Sequence, residues 1–149
     1  MLLDARTLSP GAALSADVCV IGAGPAGLAL ALALARRQIK VLLVESGDRK
    51  PNAAAQDLAA GDPGSRSYAD LRDLRRRQLG GTPHLWKIHA LGERQMHARL
   101  APLDDFDFQA RPGLPWSGWP IYRADLNPYY DRAAALCGFG PADPPASAG

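Results

Sequence analysis

The sequence is poor in several features on which whole classes of protein depend. Only two cysteines, Cys19 and Cys137, occur among its 149 residues. This excludes a disulfide-stapled fold and predicts two small core residues in a reducing compartment. The formal net charge of +2 is too small to predict binding to nucleic acid. No apolar run approaches the roughly 20 residues of a membrane-spanning helix, so no membrane segment is predicted.

Signals for secretion and for metal binding are also missing. Residues 1–16 lack the basic region and the following apolar run of a secretory signal. They are therefore predicted to be a lead-in, and the protein is predicted to be cytoplasmic. His84, His89 and His97 lack Cys or acidic partners at the spacing of a metal site, so no metal is predicted.

The stretch 17–46 has the pattern of a βαβ unit. Residues 18–21 and 41–44 are short apolar runs, typical of buried parallel strands. Between them, residues 25–37 are rich in alanine and leucine, which are strong helix formers. An α/β fold is therefore predicted, with this unit at its centre.

Three glycines connect the first strand to the helix. Gly22, Gly24 and Gly27 have the G-x-G-x-x-G spacing of a dinucleotide-binding loop. The first allows a tight turn, the second lets a pyrophosphate approach the backbone, and the third lets the helix pack on the strands. Pro25 and Ala26 open the helix, whose free N–H groups and dipole can bind phosphate without a cation.

An acidic residue closes the second strand at the distance that such units require. Glu45 can accept hydrogen bonds from both ribose hydroxyls of an adenosine and would repel the extra phosphate of NADP. The alternative is that the glycines serve helix packing alone. The strand before them, the helix after them and the position of Glu45 favour dinucleotide binding.

Two further helices are predicted along the chain. Residues 67–78 have apolar residues at rough helical spacing, with Ser67 as the predicted N-cap. A C-terminal helix is predicted to begin with Asn127 as N-cap and Pro128 at the first helical position. It is predicted to run to Cys137 and to stop at Gly138.

Three blocks of sequence together resemble the N-terminal, FAD-binding part of a glucose–methanol–choline (GMC) type flavoprotein oxidoreductase. They are DVCVIGAGPAGLALALALA with VLLVESG, then RRRQLGGTPHLW, and then APLDDFDFQARPGLPWSGWPIYRADLNPYYDRA. The resemblance covers most of the chain from Asp17 to Ala135. It implies FAD as cofactor and oxidation of an alcohol or sugar to a carbonyl by hydride transfer to the flavin.

The resemblance also implies a plan for the chain. A partial, Rossmann-like FAD-binding domain with an incomplete sheet is expected over 17–140. It would contain the βαβ unit at 17–46, a flavin-contact segment at 75–86, and a long excursion with a helix at 100–138. Residues 141–149 would be a Pro/Ala-rich linker or a truncated end.

Cofactor-binding residues are implied in the first two blocks. They are Gly22, Gly24, Pro25, Ala26, Gly27, Glu45 and Ser46 in the first block, and Arg77, Gly80, Gly81, Thr82 and His84 in the second. Backbone N–H groups and the hydroxyl of 80–82 suit a phosphate or the rim of the flavin. Arg77 would favour the anionic diphosphate, and its alternative is a place on a solvated helix face.

His84 and the catalytic groups need separate treatment. In some relatives a histidine just before the tryptophan carries the flavin covalently. Here Leu85 precedes Trp86, so a non-covalent contact of His84 is favoured. The family's catalytic histidine and its partner lie near the end of a much longer chain. No catalytic residue is therefore predicted here, and this chain alone is not expected to oxidise alcohols.

Two other classes of function stay open on the sequence. One is a non-catalytic nucleotide-binding module that keeps the fold without the chemistry. The other is a nicotinamide-dependent enzyme that shares only the βαβ pattern. A bound flavin would separate an FAD enzyme from the nicotinamide-dependent alternative.

Overall fold

The computed structural model describes residues 1–62, 64, 69–85, 87–89, 95–97 and 102–138, with only the backbone of 87–89 and 95–97. The predicted cap Ser67, the last residue of the predicted flavin-contact segment, Trp86, and the predicted linker 141–149 lie outside the described residues. The chain divides into two units, 1–85 and 86–149, and each is described by itself.

The first unit is built on the predicted βαβ unit. Strand β1 (Val18–Ile21) and strand β2 (Val41–Val44) pair in parallel, with Val18 opposite Val41 and Ile21 opposite Val44. Helix α1 (Pro25–Ala35) connects them. Both strands have the predicted bounds, and the predicted α/β class with an incomplete, Rossmann-like sheet is confirmed.

Helix α1 ends two residues before the predicted Arg37. Arg36 is its C-cap, and the chain then turns at Gln38, whose φ of 63° is left-handed. The N–H of Gln38 donates to Ala35 O at 2.9 Å, which closes the turn that glycine usually makes. The left-handed backbone at a residue with a Cβ costs about 1 kcal/mol.

The small core of this unit lies between α1 and one face of the two strands. Val20 is buried there, and Ala23 is fully buried. On the opposite face Ile21 is 87 % exposed, and Cys19 is exposed as well. The prediction that Cys19 is a core residue was wrong. Side chains alternate between the faces of a strand, and no described residue of the first unit covers this second face.

Two short helices complete the first unit. Helix α2 (Ala53–Asp57) is capped by Asn52, whose Oδ1 accepts the Ala55 N–H at 3.1 Å. Helix α3 (Leu71–Leu74) is capped by Asp70, whose carboxylate accepts the Arg72 N–H at 2.9 Å. None of the helices within the described residues has the length and apolar character to cross a bilayer.

The helix predicted over 67–78 was wrong in extent. It occupies only the four residues of α3, and Arg75 is already extended, with φ −134° and ψ 143°. Instead, Gln78 forms a parallel bridge with Asp48, and the Leu79 N–H donates to Asp48 O at 3.0 Å. Pairing with the chain that leaves β2 therefore overrides the helical propensity of the arginine run.

The second unit contains a hairpin and one long helix. Strands β3 (Lys87–His89) and β4 (Gln95–His97) pair antiparallel. Helix α4 runs over Arg123–Cys137. Its predicted end is confirmed, because Gly138 is the C-cap with a left-handed φ of 74°. Cys137 is exposed, so its prediction as a core residue was wrong too.

The predicted start of α4 at Asn127 was wrong. The first helical residue is Arg123, five residues before the predicted Pro128, and Asp125 caps this start by accepting the Tyr122 N–H at 2.8 Å. Pro128 consequently lies inside the helix instead of at its first position. Tyr122 is not one of the residue types preferred at an N-cap, whereas Asn127 is, so the sequence favours the later start.

Candidate functional site

The loop between β1 and α1 needs its first and third glycines for reasons internal to the protein. Gly22 has a left-handed φ of 97°, and its N–H donates to Val44 O at 2.7 Å. A Cβ at Gly27 would overlap the Gly22 carbonyl oxygen, which is backbone and cannot move aside. These two glycines make the turn and bring α1 onto the strands.

Gly24 is different, because nothing in the described protein requires a glycine there. It is the N-cap of α1, with φ −78° and ψ −176°, a conformation that any residue adopts. A Cβ at this position would have no atom within 4 Å. The space in front of Gly24 is therefore open. A glycine at this point leaves room for a ligand to approach the backbone closely.

The start of α1 presents unpaired donors to that open space. The N–H groups of Gly24, Ala26 and Gly27 make no hydrogen bond within the part of the chain that the structure describes. Pro25 has no N–H and occupies the first helical position. The helix has 11 residues, and the positive end of its dipole points the same way. Such a helix start can bind an anion of phosphate size.

Glu45 lies beside this loop and is held by the backbone. Its Oε2 accepts the Ala23 N–H at 2.8 Å, and its Oε1 accepts the Gly47 N–H at 2.8 Å. The Ser46 hydroxyl lies 3.3 Å from Oε1. A carboxylate has about four acceptor sites, so Oε2 of Glu45 can still accept a hydrogen bond from a further hydroxyl.

The second predicted segment lies directly against the glycine loop. We call residues 75–81 the docked segment. The Gly80 N–H donates to Ala23 O at 2.9 Å. A Cβ at Gly81 would come within 2.9 Å of Gly24 Cα, and both Gly80 and Gly81 have left-handed φ values. The structure thus brings Gly80 and Gly81 against the glycine loop of residues 22–27, which is more than fifty residues earlier in the sequence.

Arg77 and Ser46 are joined across the same edge. Nη1 of Arg77 donates to the Ser46 hydroxyl at 2.8 Å. The alternative of a solvated helix face does not hold for Arg77, because the chain is extended after α3. The close approach of this segment also requires a glycine at Gly47, because a Cβ there would overlap the Arg77 backbone.

Thr82 and His84 follow the docked segment and brace it. The Thr82 hydroxyl accepts the Arg76 N–H at 3.4 Å. Nε2 of His84 lies 2.8 Å from Leu79 O. A carbonyl only accepts hydrogen bonds, so Nε2 is the donor in this contact. The His84 side chain is otherwise exposed.

Sequence reasoning missed two glutamines that hold the docked segment in place. Gln78 is only 6 % exposed, and its Nε2 donates to Arg49 O at 2.9 Å. Gln56, in α2, forms three hydrogen bonds to the backbone around residues 72–77. Neither glutamine belongs to a spacing or motif, so the sequence contains no signal that would have found them.

A protein-family model matches most of the chain. The model described as FAD dependent oxidoreductase (DAO) matches residues 17–140. No curated protein matches the chain, and no solved structure matches it. The predicted cofactor is confirmed at the level of the family, which uses FAD. The matched residues span most of the chain, and they include the glycine loop of residues 22–27, Glu45, Gly80 and Gly81. The chain therefore belongs to the FAD dependent oxidoreductase family.

Proposed function

We propose that this chain is the FAD-binding part of a GMC-type enzyme that oxidises an alcohol or sugar to a carbonyl. The observation that carries the binding role is the open space in front of Gly24. Unpaired N–H groups border that space, and Gly81 packs against the Gly24 Cα. The order of the three sequence blocks supports the GMC type.

The residues around the loop fit a dinucleotide in a defined order. In our proposal the diphosphate lies against the N–H groups of Gly24, Ala26 and Gly27, and Glu45 receives the ribose hydroxyls of the adenosine. Ser46 and Arg77 flank the ribose and the diphosphate. Gly80, Gly81, Thr82 and His84 are the contacts toward the flavin. FAD, when bound, supplies the acceptor for two electrons and a proton from the substrate.

The proposal gives this chain a role in binding and none in proton transfer. Its residues orient the cofactor through backbone donors, and Arg77 adds a positive charge beside the diphosphate. We assign no general base here, because in the GMC family that the sequence blocks resemble the catalytic histidine lies near the end of a longer chain. The 149-residue chain by itself is accordingly expected to show no steady-state alcohol oxidation.

The proposed location is cytoplasmic, and the proposed substrate class is an alcohol or a sugar. The location is supported by the two cysteines, which are both exposed free thiols. Such thiols persist in a reducing compartment. The substrate class rests on the GMC resemblance of the sequence blocks, and the chain contributes no side chain to its choice.

Retention of flavin by the purified chain tests the binding role. The parent, mixed with FAD, should keep a flavin absorption band through gel filtration, whereas Gly24→Leu should lose it because the new side chain fills the open space. Ala33→Leu is the matched control, since Ala33 lies on the exposed side of the same helix and receives the same side chain.

Three results would contradict the proposal. One is a Gly24→Leu chain that stays as yellow as the parent. Another is a parent chain that retains NAD and not FAD, which would support the nicotinamide-dependent alternative. The third is a parent chain that retains neither dinucleotide.

A further inference from the structure

The docked segment reaches the glycine loop without a helix or a sheet of its own. Arg75 is extended, and a single bridge between Asp48 and Gln78 is its only strand-like pairing within the described residues. Fixing the backbone of one residue costs about 1–2 kcal/mol in conformational entropy. Hydrogen bonds from outside the segment must therefore hold it, and the largest group of them comes from one side chain.

That side chain is Gln56. Its Nε2 donates to Arg72 O at 2.7 Å and to Arg75 O at 2.6 Å, and its Oε1 accepts the Arg77 N–H at 3.0 Å. Both amide protons and the amide oxygen are thus used. The two carbonyls require a donor and the N–H requires an acceptor, so the orientation of the amide is determined.

The three bonds span the point where α3 ends and the docked segment begins. Arg72 lies inside α3, Arg75 is its C-cap, and Arg77 is already paired with the chain after β2. Gln56 therefore satisfies carbonyls that the short helix leaves without partners. It also accepts the N–H of Arg77, from which the chain continues to Gly80 and Gly81.

We propose that Gln56 is a positioning residue for the cofactor, acting through the docked segment. By fixing Arg77, it sets the guanidinium that donates to Ser46 at 2.8 Å. By fixing the path to Gly80 and Gly81, it holds them against Ala23 and Gly24. This inference rests on the proposed binding of FAD at the loop, and it assigns to α2 a role that the motif does not contain.

The position of the contacts predicts which part of the cofactor depends on Gln56. Glu45 and the α1 start belong to the βαβ unit, and they are the proposed site for the adenosine and its phosphate. The docked segment faces the diphosphate and the flavin half of the cofactor. Loss of Gln56 should therefore weaken FAD more than AMP. A general loss of folded protein would weaken both ligands by the same factor.

The variants Gln56→Glu and Gln56→Met separate these cases. Gln56→Glu keeps the shape but places a carboxylate against two carbonyl oxygens, and Gln56→Met removes all three bonds without adding a charge. Asn52→Ala is the matched control. It removes the cap of the same helix, at the Ala55 N–H, without touching the docked segment.

Isothermal titration calorimetry of the full chain with FAD and with AMP provides the measurement. The ratio of the FAD to the AMP dissociation constant should rise about tenfold in both Gln56 variants and stay at the parent value in Asn52→Ala. Hydrogen exchange of the cofactor-free chain gives a second readout. The Arg77 and Gly80 amides should lose protection in the Gln56 variants and keep it in the control.

The possible failures are distinguishable. If the parent binds FAD and the ratio is unchanged in Gln56→Glu and Gln56→Met, the role of Gln56 is refuted and the binding proposal stands. Unchanged protection of Arg77 and Gly80 in these variants refutes it too. If the parent binds neither FAD nor AMP, the proposed function fails, and the role of Gln56 fails with it.

Discussion

Replacing each of two glycines by alanine should separate folding from cofactor binding. Gly24→Ala and Gly27→Ala add the same methyl group three residues apart in one loop. At Gly27 the added Cβ overlaps a backbone oxygen, whereas at Gly24 it meets nothing within 4 Å. The Gly27 variant should therefore lose stability, and the Gly24 variant should not.

The magnitudes follow from these contacts. Overpacking against a backbone that cannot move costs about 3 kcal/mol, which is a large fraction of the roughly 5–15 kcal/mol of an ordinary domain. At Gly24, loss of a permissive N-cap costs about 1 kcal/mol. The lower entropy of the unfolded alanine chain offsets about 0.4–1 kcal/mol of that. Gly24→Ala should therefore unfold within about 0.5 kcal/mol of the parent.

Urea unfolding without FAD, followed by circular dichroism, measures the effect on stability, and titration with FAD measures the effect on binding. Gly24→Ala should keep the parent's urea midpoint but bind FAD at least about tenfold more weakly, a loss of ~1.4 kcal/mol. The reasoning is refuted if Gly24→Ala binds FAD like the parent. It is equally refuted if the two variants lose the same stability.

Three further predictions concern other parts of the chain. Arg72 lowers the pKa of Asp70 to about 2, so the stability from this pair is complete above the ordinary pKa of 3.8 and is lost as the pH falls toward 2. Asp70→Asn should therefore lose less unfolding free energy than the parent as the pH falls, measured by urea unfolding at low salt. An equal loss in both chains would contradict the role of the Asp70–Arg72 pair. Cys19 and Cys137 should both react with a thiol reagent in the folded chain, because both are exposed; one protected thiol would contradict this. Gly47→Ala should weaken FAD binding by pushing the docked segment away, and tight binding by that variant would argue against the segment's role.

The parts of the fold that the sequence predicts well are those decided by local chemistry. Strands β1 and β2 are apolar runs ended by glycine or by an acid, and their bounds agree with the prediction residue for residue. The end of α4 at Gly138 is of the same kind, because a glycine adopts the left-handed φ of a helix end without steric strain.

Two of the failures depend on parts of the protein that are distant in sequence. The arginines after Leu74 have good helix propensity, yet Gln78 pairs with Asp48 and pulls the chain into an extended form. Cys19 has the sequence surroundings of a buried residue, but burial of a strand depends on what covers each face. No local pattern encodes the pairing of Gln78 with Asp48 or the exposure of Cys19, so neither could be predicted from the sequence.

The candidate site shows the same division. Its residues are predicted from motif spacing and from resemblance, but spacing does not tell how the glycine loop of residues 22–27 meets Gly80 and Gly81. Ala23 makes the connection, since its N–H donates to Glu45 and its carbonyl accepts from Gly80. One fully buried residue therefore connects the acid after β2 with the docked segment.

The bonds of Ala23 also order the glycine loop before a ligand binds. Glu45 holds the Ala23 and Gly47 N–H groups, so the loop and the chain after β2 are fixed before any cofactor arrives. Oε2 receives only the Ala23 N–H and keeps a free acceptor position, so a ribose hydroxyl can bind there without breaking these bonds. The loop is then already ordered in the folded chain, and binding need not supply the entropy of ordering it. Glu45 thus has two roles that do not compete, because the backbone amides and the proposed ribose use different lone pairs of the same carboxylate.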